Sequence, residues 1–386
     1  MHVIVLGING FPHSFSAKVN RYKSISKMLI NKGNTVTIIN RSIGKVRPEG
    51  ETFFSKKISV INAINFSFKS YTLNKYLKKV IFLFELITII KETKRSRKKK
   101  IKTIYIVYTP SLFLYSVYLL LAKTLNVRLI FDYVEKRTEF EENSWLNRKM
   151  DKVFENKALK FADGIFVISS FLKNELKSNF PDQRVLLLPA ISNFSVIDSI
   201  KVIPDIKMPY ILYCGSDAYL DVVDFIVESY LRSGEERDLK LVLVISGISQ
   251  IIAMLREKYS EHKNIVILSE LPYDELIAYY KNAEALMIPL RNLKRDIARF
   301  PHKISEYTAS KGLILSTNYG EIRHYFTNGV NALLSDDYTV DSFSKLISAL
   351  QNSDKEKIRE NAYKTGLKFF SEKGNGESVN KFLFEV

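Results

Sequence analysis

Short β-branched runs alternate with longer helical stretches along this chain, and the whole alternation occurs twice. The run HVIVLGI at 2–8, a glycine- and serine-bearing loop, a helix near 19–32 ending at Gly33 and the strand TVTIIN at 35–40 make a βαβ opening. Two parallel neighbours in one sheet need a crossover, which commits such a chain to layered α/β architecture with right-handed connections. Further strands are predicted at 57–63, 103–109, 127–133, 164–170 and 185–189, with helices in most of the gaps. After Pro189 the segment AISNFSVIDSIKVIPDIKMP has no sustained period and carries Pro204 and Pro209 at its far end, so it reads as an interdomain connection. The alternation then restarts, with strands at 210–215, 239–247, 264–270, 284–290, 312–317 and 331–335 and helices between and after them, the last at 339–351 and 355–370. Two consecutive Rossmann-like halves are expected, and 386 residues with 46% hydrophobic side chains suffice for two cores.

Composition removes several classes. The single cysteine, Cys214, permits no intramolecular disulfide and suggests a reducing compartment; with five scattered histidines it cannot build a zinc cluster. The amino terminus, MHVIVLGING, lacks a basic leader and runs into a glycine turn, so it reads as a core strand. The longest apolar run, VIFLFELITII at 80–90, contains Glu85 and is eleven residues long. A bilayer crossing needs roughly 20. A cytoplasmic protein is expected, either free or peripheral at the inner membrane face.

The net charge of +17 is unevenly spread. Residues 1–200 hold 34 Lys and Arg against 15 Asp and Glu, whereas the remainder holds 24 against 26. A basic half beside a near-neutral half points to an anionic partner for the first: nucleic acid, a membrane surface or a charged substrate. No aromatic-basic reading surface or recognised module accompanies the charge, which disfavours nucleic acid.

Four segments place polar groups where α/β sheets carry chemistry. The loop GINGFPHSFSAK at 7–18, with Gly7, Gly10 and His13, follows the first strand; it lacks a G-x-G-x-x-G pattern and reads either as a tight turn or as an anion- or sugar-contacting loop. The basic cluster KETKRSRKKKIK at 91–102 reads either as cations at a helix end or, with the aromatic residues near 71–84, as a contact for anionic lipid. FDYVEKRTEFEENSW at 131–145 follows a strand end, so Asp132, Glu135 and Arg137 either project into a cleft or lie on a solvated loop, with Trp145 as an exposed platform. In PLRNLKRDIARFPHKISEY at 289–307, Pro301 opens a helix on which Lys303, Glu306 and Tyr307 share one surface; Arg291, Lys294, Arg295 and Arg299 precede it. That is either a charged surface helix or a diphosphate site with a carboxylate for ribose hydroxyls.

In order along the chain, these residues resemble the GT-B glycosyltransferases, specifically glycosyltransferase family 4. FPHKISEYTASKGLILSTNYGEIRHYFTNGVNALLS is similar to that family's donor-site region, with its P-x-K-x-x-E-Y-x-A helix, its G-E turn and its N-G strand. KFADGIFVISSFLKNEL, VLLLPA and NIVILSELPYDELIAYYKNAEALMIPL resemble its A-D strand and helix, its exit from the first domain, and its base-binding strand. The resemblance implies two Rossmann-like domains facing across a cleft: an acceptor domain at 1–190, a linker at 191–208, a nucleotide-sugar domain at 209–365 and a helix at 366–386 crossing back. It implies a retaining, hexosyl-type transfer from a UDP- or GDP-linked sugar to a glycan or lipid-linked glycan in cell-surface polysaccharide synthesis, without an obligatory metal or a cofactor. Carried over, Lys303, Glu306 and Arg299 are the catalytic group, with Glu306 on the ribose. Gly215, Ser216, Leu271, Pro301, Tyr307, Arg291 and Arg295 contact the donor, and Gly10, His13, Asp132, Glu135 and Arg137 contact the acceptor.

Two positions depart from the family pattern. A carboxylate is expected eight residues before Glu306, where this chain has Ala298, and a basic pair is expected in the turn after Gly215, where Ser216 to Asp221 hold neither Lys nor Arg. Either Arg291, Arg295 or Arg299 stands in for the missing charge and Asp296 for the carboxylate, or the donor differs or activity is weak. The alternatives are a sugar-nucleotide epimerase on the same frame and a non-enzymatic membrane- or nucleic-acid-binding protein.

Overall fold

The computed structural model describes residues 1–12, 16–43, 57–64, 71–139 and 144–386. The chain divides into two compact units, Met1–Pro189 with Glu372–Val386, and Ala190–Ser371.

The first unit contains strands β1 (His2–Ile8), β2 (Thr35–Ile43), β3 (Ile58–Ile64), β4 (Thr103–Val107), β5 (Arg128–Tyr133), β6 (Gly164–Val167) and β7 (Val185–Leu187). They form one parallel sheet in the order β3-β2-β1-β4-β5-β6-β7. Helices α1 (Ala17–Asn31), α2 (Tyr71–Lys98), α3 (Leu112–Thr124), α4 (Trp145–Val153) and α5 (Ser170–Asn179) connect them. Strands buried on both faces read as continuous apolar runs, as Val3 to Leu6 do at 0% exposure. Ser16 and Ser111 stop fraying at the starts of α1 and α3 by accepting the N–H groups of Val19 and Leu114.

The second unit repeats the plan with β8 (Tyr210–Ser216), β9 (Lys240–Ser246), β10 (Ile265–Leu268), β11 (Ala285–Ile288), β12 (Ile314–Thr317) and β13 (Leu333–Ser335), ordered β10-β9-β8-β11-β12-β13. Its helices are α6 (Phe194–Ser199), α7 (Leu220–Ser233), α8 (Ser249–Lys258), α9 (Tyr273–Asn282), α10 (Lys294–Ile297), α11 (Lys303–Ala309), α12 (Ile322–Tyr325), α13 (Val340–Ser348) and α14 (Lys355–Phe369). In both sheets the strand order reverses beside the first strand, between β1 and β4 and between β8 and β11. The crevice outside the carboxyl ends of the strands at such a switch point is where open α/β sheets bind ligands.

The stretch expected to be a linker differs. Asn193 caps α6, Phe194 lies 5.6 Å from the Tyr363 ring of α14, and Ser192 Oγ is 2.7 Å from Ser305 Oγ, so the beginning of this stretch is built into the second unit. Phe194 has its partner in α14, far along the chain, so local periodicity over six residues does not mark the helix. The two final helices also part company. α14 buries Ile358, Ala362 and Gly366 and packs on α11 within the second unit. A last helix, α15 (Glu372–Glu385), belongs to the first, where Asn380 accepts from Asn34 at 3.0 Å and Phe382 lies 5.6 Å from Phe166. Among the described residues no helix is long and apolar enough to cross a membrane.

Candidate functional site

The switch point of the second unit gathers the charged residues singled out above. Arg291, on the loop leaving β11, pairs with Asp221 at the start of α7 and with Asp296 of α10, at 2.6 Å from its Nε to Oδ2. Arg299 Nη2 donates to the same Asp296 carboxylate at 2.7 Å, and its other nitrogen donates to the Tyr219 hydroxyl. The Arg299 and Arg295 guanidinia lie 5.1 and 5.9 Å from the Tyr219 ring centre. Burial pushes the Asp296 carboxyl upward, but hydrogen bonds from Arg291 and Arg299 outweigh it and hold the group below the usual carboxylate range. Asp296 is thus favoured as an anion and orients two guanidinia. Ala298, where the family pattern has a carboxylate, is wholly buried, at 0% exposure.

The start of α11 supplies the next layer. Lys303 donates to the Cys214 carbonyl of β8 and sits 5.1 Å from the Tyr213 ring centre. Burial lowers its pKa, opposed by the Glu306 carboxylate, so its ammonium lacks the solvation that an anionic ligand would restore. Glu306 is 5% exposed; Tyr273 Oη donates to its Oε1 at 3.3 Å and His302 Nε2 lies 3.9 Å away. Because Tyr273 begins α9 just after Leu271, Glu306 is brought beside the segment expected to line a base. Leu271, Ser216 and Pro301 are half-buried. Gly215 is buried, and a Cβ there would come within 2.5 Å of the Tyr213 ring.

Tyr307 is corrected. It is fully buried, its ring 4.9 Å from that of Tyr280 and its hydroxyl facing the Met287 carbonyl, so it packs α11 onto the sheet and presents nothing to a ligand.

In the first unit, Gly7, next to last in β1, has φ +81°, and a Cβ would fall 2.0 Å from the Tyr108 carbonyl beyond β4, so only glycine fits this switch point. Asn40 clamps the next loop, donating to Phe11 O at 2.7 Å and accepting from its N–H at 3.3 Å. Gly10 is exposed there; His13 lies outside the described residues.

Asp132 is also corrected. At 1% exposure it accepts two bonds of 2.9 Å from Arg21, two further donors of which reach the Pro189 and Leu188 carbonyls at 2.8 and 3.1 Å. Buried and held on both oxygens by Arg21, the carboxylate is not presented to an acceptor hydroxyl. Arg21 went unnoticed in the sequence, although a cation among Val19, Tyr22 and Ile25 on a buried helix face demands a buried carboxylate. Glu135 is exposed, and Arg137 pairs with Asp151 at 3.3 Å. These two, with Tyr108, Thr109, Tyr133 and Phe154, line a cavity of about 30 Å³ beyond β4 and β5.

The exposed cluster at 91–102 ends α2. Upstream, Glu85 is fully buried, accepting from Tyr118 Oη at 2.5 Å and lying 2.9 Å from Arg41 Nε. Burial pushes its carboxyl up to about 7 despite both partners. Among the described residues no group of His, Cys, Asp and Glu is placed to hold a metal ion.

Residues 198–365 match the family model described as glycosyl transferases group 1, a span that includes the whole charged cluster of the second unit. No curated protein matches the chain by sequence. Among solved structures it is similar to a sucrose-phosphate synthase from Thermosynechococcus elongatus, with 13% identity and TM-score 0.74, covering 100% of this chain and 98% of the other. A glycosyltransferase from Rickettsia africae has 18% identity and TM-score 0.69 over 100% and 97%. Anabaena HepE, solved in complex with UDP and glucose, has 11% identity and TM-score 0.71 over 100% of both chains. The fold is therefore GT-B, with two Rossmann-like domains.

Proposed function

We propose that this chain is a glycosyltransferase that moves a sugar from a UDP- or GDP-linked donor to a glycan or lipid-linked glycan acceptor, with retention of anomeric configuration, in the assembly of a cell-surface polysaccharide. The observation that carries the proposal is the cluster of Arg291, Arg299, Lys303 and Glu306 at the second switch point, inside the span that matches the family model.

When the bond from sugar to diphosphate breaks, negative charge accumulates on the leaving phosphates. Lys303 and Arg299 stabilise it from positions that are already desolvated and oriented, which makes each interaction stronger than it is in water. Arg291 joins them by exchanging its exposed partner, Asp221, for a phosphate while Asp296 keeps its orientation; the Asp221 side chain is 60% exposed and is the cheaper one to displace. Glu306, oriented by Tyr273, accepts the ribose hydroxyls, and Leu271 lines the base. Ser216 presents its backbone N–H to the phosphates. Gly10, Glu135 and Arg137 serve the acceptor, without Asp132. A lipid-linked acceptor brings the enzyme to the inner membrane face, with residues 71–102 contributing cations.

Thermal unfolding with nucleotides tests this directly. Saturating UDP or GDP is expected to stabilise the protein by about 2–3 kcal/mol at a hundredfold excess over Kd. Absence of stabilisation by either sinks the enzyme reading. Product formation without an added acceptor supports an epimerase instead.

A further inference from the structure

The first unit has two unlike helical layers. Right-handed crossovers place α1, with α15, on one face of the sheet and α2, α3 and α4 on the other. Among the described residues, every exposed large apolar side chain of this unit except Phe384 lies between 83 and 161, on or beside the second layer.

The concentration is greatest on α4 and the turns that follow it to Phe161. Leu146, Met150 and Val153, at i, i+4 and i+7, share one helical face with Trp145 beside them, and all four are exposed, Trp145 at 75%. Such a stripe normally faces a core. Here the one buried residue of α4 is Asp151, which pairs with Arg137, and the segment is anchored farther on by Phe154, packed 5.1 Å from the Tyr115 ring, and by Leu159.

Among the described residues of this segment the exposed charges have one sign. Between 145 and 161 the exposed charged residues are Arg148, Lys149, Lys152, Lys157 and Lys160; the two carboxylates, Asp151 and Glu155, point inward and are bonded to the 137–138 turn. Lys149 lies 5.4 Å from the Trp145 ring, and Lys160 and Lys123 lie 5.1 and 5.3 Å from Phe161. The neighbouring α3 contains no carboxylate and adds exposed Phe113 and Leu120. An apolar face ringed by cations, with no exposed carboxylate among the described residues 144–161, is complementary to an anionic lipid interface.

We propose that the outer face of Trp145 to Phe161 docks on an anionic phospholipid surface, with Trp145, Leu146, Met150 and Phe161 entering the interface and the flanking lysines meeting headgroup phosphates. The docking face takes its purpose, not its support, from the lipid-linked acceptor proposed above. It adds an apolar contact to the cations proposed for residues 71–102.

Trp145 is the only tryptophan of the chain, so its fluorescence reports on this face alone. The intact protein would be titrated with vesicles of phosphatidylcholine, and of phosphatidylcholine with an equal part of phosphatidylglycerol. The expected result with the mixed vesicles alone is a blue shift, quenching by brominated acyl chains and reversal by salt. Replacing Leu146 and Met150 together by serine should weaken vesicle binding roughly tenfold while leaving the reporter and the melting temperature in place. Three outcomes overturn the proposal: no sedimentation with mixed vesicles, sedimentation with unmoved Trp145 emission, or a concentration-dependent blue shift without lipid, which would assign the face to a second copy of the chain. Nucleotide stabilisation is measured without vesicles, so either proposal can fail while the other stands.

Discussion

Two sheets with the same strand order handle charge at their carboxyl ends in opposite ways. In the first unit Arg21 and Asp132 meet in full burial through two hydrogen bonds, and two further Arg21 donors reach backbone carbonyls. In the second, Asp296 is shared between two arginines, Arg291 also holds a largely exposed Asp221, and Lys303 rests on a backbone carbonyl. A charge that is saturated by its surroundings has nothing left for a ligand. One held by exchangeable or neutral partners gains from an arriving anion. Topology marks both places as candidate sites; the state of satisfaction separates a structural ion pair from a binding group.

The largest expected effect tests the structural side. Asp132→Ala strands Arg21 without its carboxylate and should cost about 3–5 kcal/mol of stability, read by chemical denaturation, with nucleotide affinity in the second unit unchanged. A loss below about 1 kcal/mol would place the pair with solvent-exposed ones and end the contrast. On the binding side, Lys303→Ala should lower the rate of sugar transfer about 10²- to 10³-fold with little change in the unfolding midpoint. An unchanged rate removes Lys303 from the diphosphate site.

A smaller effect concerns pH. Glu85 has a folded pKa of about 7, above its ordinary 4.5, so the folded state binds a proton more tightly than the unfolded chain does. The stability linked to that proton is complete below 4.5 and is lost as pH rises through about 7. Glu85→Gln should therefore stabilise the protein by about 1–3 kcal/mol at pH 8 and by almost nothing at pH 4. A gain independent of pH would show that Glu85 is not the titrating group. Smallest is Arg299→Lys, which keeps the charge but loses the fork between Asp296 and Tyr219 and should raise the donor KM roughly tenfold with kcat less affected.

Much of the fold was legible because side-chain direction follows backbone geometry. Runs such as HVIVLGI and KLVLVIS declare strands, and the serines before α1, α3 and α5 declare helix starts. The helix carrying Lys303 and Glu306 was visible by the same local rules. Short elements were not: α6, α10 and α12 have four to six residues, less than two helical turns, and owe their form to tertiary packing. Tyr307 misled because its neighbours on α11 face the site, whereas its own ring turns inward toward Tyr280.

From the sequence alone came the two Rossmann-like halves, the uneven charge and the residue types at the second switch point, all readable over a few helical turns or strand residues. Only the tertiary structure decided that Asp132 belongs to Arg21, 111 residues away, that Asp296 serves arginines, and that the apolar stripe of α4 faces outward. The physical reason is common to all three. Periodicity encodes which side chains share a face, but burial and pairing depend on what the rest of the chain brings against that face. The energy of a charge or an apolar side chain is set by that second fact.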